Sequence, residues 1–99
     1  MPYAPLLSEA EIAEGLARLP EWRRTGETLV RTLRCETFRD AIALVHRVAD
    51  AAEEADHHPD IVINWRRVTF RLTTKASHGL SAKDLAMAAT IDRLSAGAA

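Results

Sequence analysis

The residues best suited to chemistry cluster in Glu53-Glu54-Ala55-Asp56-His57-His58-Pro59. Imidazole, with an ordinary pKa of about 6.5, donates or accepts a proton close to neutrality. Two adjacent imidazoles at a rigid helix exit point in different directions, which suits both to the walls of one cleft. Glu53 stands four residues before His57 and faces it if the helix persists that far. Taken alone, a His-His pair serves surface or capping chemistry more often than catalysis.

Other chemistries are less well supplied. His46, His57, His58 and His78 are numerous enough for a metal site, yet no H-x-x-x-H or H-E-x-x-H spacing exists and Cys35 lacks a partner. No metal is expected. Cys35 falls at a strand end, where a lone cysteine is usually a small apolar residue. There is neither a G-x-S-x-G elbow nor a P-loop. The pairs Arg23-Arg24 and Arg66-Arg67 read either as solvated strand faces or as groups that orient an anion or a partner protein.

The elements that must position these residues follow from punctuation and period. Ser8-x-x-Glu11 is a capping box, and Ile12, Leu16 and Leu19 continue at helical spacing until Pro20. Trp22–Thr25, a Gly26-Glu27 turn and Thr28–Cys35 predict a hairpin. Thr37 caps a longer second helix whose apolar stripe is expected to be Phe38, Ile42, Val45, Ala49 and Ala52. Pro59 forbids its continuation, making Asp56–Asp60 the helix exit. Ile61–Ile63 begins a third strand, and Val68, Phe70 and Leu72 alternate with polar residues in a fourth. Asn64–Arg67 either turns between them or extends one of them. Ser81-x-x-Asp84 opens a last helix carried by Met87, Ile91 and Leu94, with a frayed end expected at Ala98-Ala99. The order α-β-β-α-β-β-α predicts an α+β two-layer sandwich, a four-stranded antiparallel sheet with three helices on one face.

Composition bounds what such a domain does. Ninety-nine residues allow one domain spanning 1–99. Five per cent aromatic content beside 18 alanines predicts a thin aliphatic core, a kind that gains from association with a second copy. A net charge of −1 removes the electrostatic footprint of a non-specific nucleic-acid binder. The N-terminus lacks a basic n-region, no apolar run approaches a membrane span, and one cysteine gives no disulfide. A cytoplasmic location is therefore expected.

The spacing then becomes specific. Glu53, His57-His58-Pro59, Trp65, Lys75 and Gly79-Leu80-Ser81-x-x-Asp84 together resemble the pterin-4a-carbinolamine dehydratase family across essentially the whole chain. The resemblance implies dehydration of a 4a-hydroxytetrahydropterin to the quinonoid dihydropterin, with neither metal nor organic cofactor. It implies catalytic roles for His57 and His58, with Glu53, Asp56, Thr73, Thr74, Lys75 and Ala76 at the pterin pocket. The family's third catalytic histidine is replaced here by Lys75, expected on the fourth strand beside Thr73 and Arg71. Either Lys75 serves in its place, or His78 swings in from the loop, or activity is lost. The resemblance also implies a homodimer or homotetramer. An alternative role is a protein-binding module, of the transcription-factor dimerisation cofactor or Rubisco assembly-factor type.

Overall fold

Hydroxyl side chains start all three helices in the computed structural model, which describes residues 4–96; the expected fraying at Ala98-Ala99 lies outside them. Ser8 and Ser81 form reciprocal capping boxes with Glu11 and Asp84 at α1 (Glu9–Ala17) and α3 (Ala82–Leu94). Thr37 caps α2 (Phe38–Ala55) by accepting from the Asp40 backbone N–H at 3.0 Å. α1 stops at Ala17, before Leu19, but Leu19 remains buried in the turn that follows.

The strands β1 (Arg23–Thr25), β2 (Thr28–Arg34), β3 (Asp60–Asn64) and β4 (Arg67–Leu72) form one antiparallel sheet in the order β1-β2-β4-β3. Gly26, at φ 60, makes the β1–β2 turn, as a hairpin of this length requires. Trp65-Arg66 is the β3–β4 turn, with Asn64 paired to Arg67. The register sets Leu29 opposite Leu72, Leu33 opposite Val68, and Ile61 opposite Phe70. Period-two alternation therefore gathers these side chains on one face. Ile12 of α1, Ala41, Leu44, Val48 and Ala52 of α2, and Met87, Ala88 and Ile91 of α3 complete the same core.

One expectation is corrected. The inward stripe of α2 is Ala41, Leu44, Val48 and Ala52, whereas Phe38 and Ile42 remain 52% and 44% exposed. The helix carries two neighbouring apolar stripes, and either one satisfies a 3.6-residue period. The stripe with small residues at both ends faces the core, where a phenylalanine would add bulk.

A second network ties the helices to the sheet's end. Asp92 of α3 accepts from the buried Trp22 indole at 2.7 Å and from Arg31 of β2 at 2.6 Å. Near the other end of α3, Leu7 N–H donates to Leu80 C=O at 2.9 Å, and Ser77 bonds both backbone groups of Ala4. These contacts hold the loop after β4 in place.

Candidate active site

Asp56 decides how the two histidines diverge. α2 ends three residues before the residue that precedes Pro59, because Asp56 takes a left-handed backbone at φ 51. Its N–H donates to Glu53 C=O at 3.3 Å, and the His57 N–H to Ala52 C=O at 3.1 Å. That pairing is the Schellman closure of a helix, with aspartate where glycine is usual. The reversal turns His57 inward, 3% exposed, while the His58 side chain stays half exposed.

This corrects the expected Glu53–His57 pairing. The helix ends before His57, so Glu53 instead meets His58, Oε2 to Nε2, at 2.5 Å. His57 finds a different carboxylate: its Nε2 lies 2.7 Å from Oδ1 of Asp84. A carboxylate only accepts, so Nε2 carries a proton, and Nδ1 is the ring nitrogen left to exchange one.

Asp84 is wholly buried and its other oxygen is also occupied. Oδ2 accepts from the Thr74 hydroxyl at 2.7 Å and from the Ser81 N–H at 2.9 Å. The Ser81 hydroxyl lies 2.7 Å from that of Thr74. With Thr74 donating to Asp84, Ser81 donates to Thr74. An ionised carboxylate in a dry interior demands such donors, and a fully satisfied network of this kind holds one geometry.

A cavity of about 250 Å³ opens beside these groups, lined by His57, His58, Thr73, Lys75 and Ala76. Thr74, although expected at the pocket, stands behind it, fully buried and committed to Asp84 and Ser81. Glu53 and Asp56 also lie outside the lining; the first holds His58 and the second ends the helix. Lys75 reaches the cavity for a reason that strand alternation misses. β4 stops at Leu72, and Lys75 opens a 3-10 turn, Lys75–Ser77. His78 ends that turn, exposed and at φ 58, outside the lining. Among the described residues no three His, Cys, Asp or Glu side chains form a metal-ligand cluster.

In the sequence Asp84 reads as a capping residue and as the end of the Gly79-Leu80-Ser81-x-x-Asp84 motif, with no place in the pocket. The available signal was its surroundings. Thr74, Ser81 and Asp84 are polar positions set among Leu72, Leu80, Leu85 and Met87, and they bury together. Chemically, the assembly offers a fixed proton acceptor, a second imidazole and an ammonium around one small hollow.

The family model described as pterin 4 alpha carbinolamine dehydratase matches residues 5–94. A Nocardia farcinica protein provisionally named pterin-4-alpha-carbinolamine dehydratase is 53% identical over 90% of this chain and 94% of its own. A Chloroflexus aurantiacus protein of the same provisional name is 52% identical over 91% of this chain and 97% of its own. Two crystal or solved structures are similar as well. A transcriptional coactivator/pterin dehydratase from Brucella melitensis superposes with a TM-score of 0.88 at 28% identity, covering 91% of this chain and 98% of the other. A pterin dehydratase-like protein identified as a RuBisCO assembly factor in the alpha-carboxysome gives a TM-score of 0.67 at 26% identity, covering 80% and 93%.

Proposed function

The chain belongs to the pterin-4a-carbinolamine dehydratase family, and from that premise we propose that it dehydrates 4a-hydroxytetrahydropterins to quinonoid dihydropterins in cofactor recycling. The C4a–O bond breaks, the N5–H electron pair becomes the C4a=N5 double bond, and the hydroxyl leaves as water. One group must take the N5 proton and another must protonate or polarise the departing oxygen. His57 suits the first task, since it lines the cavity and Asp84 engages its Nε2, leaving Nδ1 as the ring nitrogen free to take a proton. His58 and Lys75 share the same hollow and suit the second. Lys75 presents donors only, matching a departing oxygen better than a proton to be removed. The anchoring of His57 on a buried carboxylate beside this cavity is the observation that carries the reading.

The test is turnover of freshly generated carbinolamine by wild type, His57→Ala and Lys75→His in parallel. Wild type is expected to accelerate water loss over buffer, and His57→Ala to forfeit about 10²–10⁴-fold of that acceleration. No acceleration by wild type, with rescue by Lys75→His, would show that lysine has switched the enzyme off.

A second reading is favoured by the substitution at Lys75 together with the similarity to an assembly factor. Under it the fold serves as a protein-binding module, and a stoichiometric protein partner recovered without pterin turnover supports it. Both readings place a homo-oligomer in the cytoplasm. Exposed Phe38 and Ile42 support association, and no helix among the described residues is long and apolar enough to cross a membrane.

A further inference from the structure

The far end of the β3–β4 hairpin carries a hollow of about 410 Å³ lined by Arg34, Asn64, Trp65, Arg66 and Arg67. β4 is six residues long, with this hollow at its first residue and the histidine cavity just past its last. At about 3.3 Å per residue the two lie roughly 20 Å apart.

Three features of this end each carry a cost that contacts within the chain offset only in part. The register sets Arg34 directly opposite Arg67, and like charges in that position repel. Elsewhere Arg24 pairs with Glu9 and Glu27, and Arg31 with Asp92, but among the described residues no carboxylate pairs with Arg34, Arg66 or Arg67. Arg66 donates Nη1 to Glu36 C=O at 3.2 Å, while its buried Nε, like that of Arg31, has no hydrogen-bond partner. Finally, Trp65 occupies the turn at φ 55 with 67% of its surface exposed. A bulky side chain is rare in left-handed backbone, and hairpin turns there favour glycine or asparagine. The Arg66 guanidinium sits 4.4 Å from the indole centroid, which holds both groups at the rim.

A ligand bringing negative charge and a flat ring answers all three. Guanidinium forks recognise phosphate bidentately and would be relieved of mutual repulsion by it. An exposed indole offers a stacking surface to an aromatic ring. The hollow has the volume of a small-molecule site. We propose that Arg34, Arg66, Arg67 and Trp65 form a binding site for a phosphate-bearing aromatic small molecule, of mononucleotide size and separate from the histidine cavity. The site stands whether or not the chain is an active dehydratase, and its test needs no turnover.

The test titrates the full-length protein with adenosine 5′-monophosphate, using calorimetry and the indole N–H resonances. The chain has two tryptophans, and Trp22 is buried on Asp92, so its resonance serves as the internal control. One saturable site is expected, moving the Trp65 signal and leaving that of Trp22 in place. Binding should weaken with salt, and adenosine or inorganic phosphate alone should bind at least about tenfold less tightly. Arg34→Gln/Arg67→Gln should weaken the nucleotide at least about tenfold with unchanged circular dichroism. If that double variant fails to fold, Trp65→Leu should weaken the nucleotide by a larger factor than it weakens inorganic phosphate. Absence of saturation, half-ligands that bind as tightly as the whole, or undiminished binding by the variants would overturn the proposal.

Discussion

A single side chain, Asp84, distinguishes a histidine that is merely present from one that is aimed. Its two oxygens accept from His57, Thr74 and the Ser81 N–H, so the imidazole loses its rotational freedom to a group that is itself immobile. Asp84→Asn keeps the shape but puts a donor where acceptors are needed. We expect at least about a tenfold fall in kcat, equivalent to about 1.4 kcal/mol of transition-state stabilisation, with a smaller change in KM. Denaturant unfolding should show a loss of about 1–3 kcal/mol. Equal kcat in the two proteins would remove the positioning role. Cys35 illustrates the opposite case, a group with chemistry that the fold suppresses. Burial pushes its thiol above the ordinary value of 9.0; nearby Asp40 pushes the same way, and Arg47 opposes them. A raised thiol stabilises the fold below that ordinary value and ceases to do so as pH climbs through the folded one. At pH 8 the native protein should therefore react with an aromatic disulfide reagent at least about a hundredfold more slowly than the unfolded chain. Comparable rates would contradict this burial.

At the scale of elements, caps and hairpins were legible because their signals are local. Ser8, Thr37 and Ser81 start helices where their spacing puts them, and Gly26-Glu27 turns the first hairpin. What stayed hidden required a third dimension. Two apolar stripes on α2 look alike until the sheet chooses the one with alanines at its ends. Pro59 announces a helix end, but the backbone of Asp56 sets its place and thereby swaps the partner of Glu53. Lys75 joins His57 only because the chain leaves β4 after Leu72. The two capping boxes should differ in weight. Ser81→Ala removes a buried hydroxyl that also bonds Thr74, so a loss of about 2 kcal/mol is expected; Ser8→Ala, at an exposed site, should cost about 1 kcal/mol or less. Thermal unfolding of both variants checks the ranking. The β3–β4 turn gives a complementary expectation. Trp65→Asn places a residue tolerant of left-handed backbone at an exposed position. Its stability should match wild type within about 1 kcal/mol; a larger loss would mean that the indole serves the fold.

Seen whole, the molecule is a sheet covered by helices on one side, with its histidine cavity and its arginine-rich end at opposite poles of one hairpin. Two residues of α2, Phe38 and Ile42, remain outside and give it a surface on which copies can meet. Phe38→Glu/Ile42→Glu should lower the sedimentation mass toward that of one chain while leaving the secondary structure intact. Unchanged mass would place any association elsewhere. The shared carboxylate of Asp84 has a consequence for behaviour on warming. Because it both begins α3 and steadies the inward imidazole, opening of that first turn would release the His57 ring even with the strands still paired. Heat inactivation should then run ahead of the cooperative melt, and a cooled sample should regain its rate without having to refold.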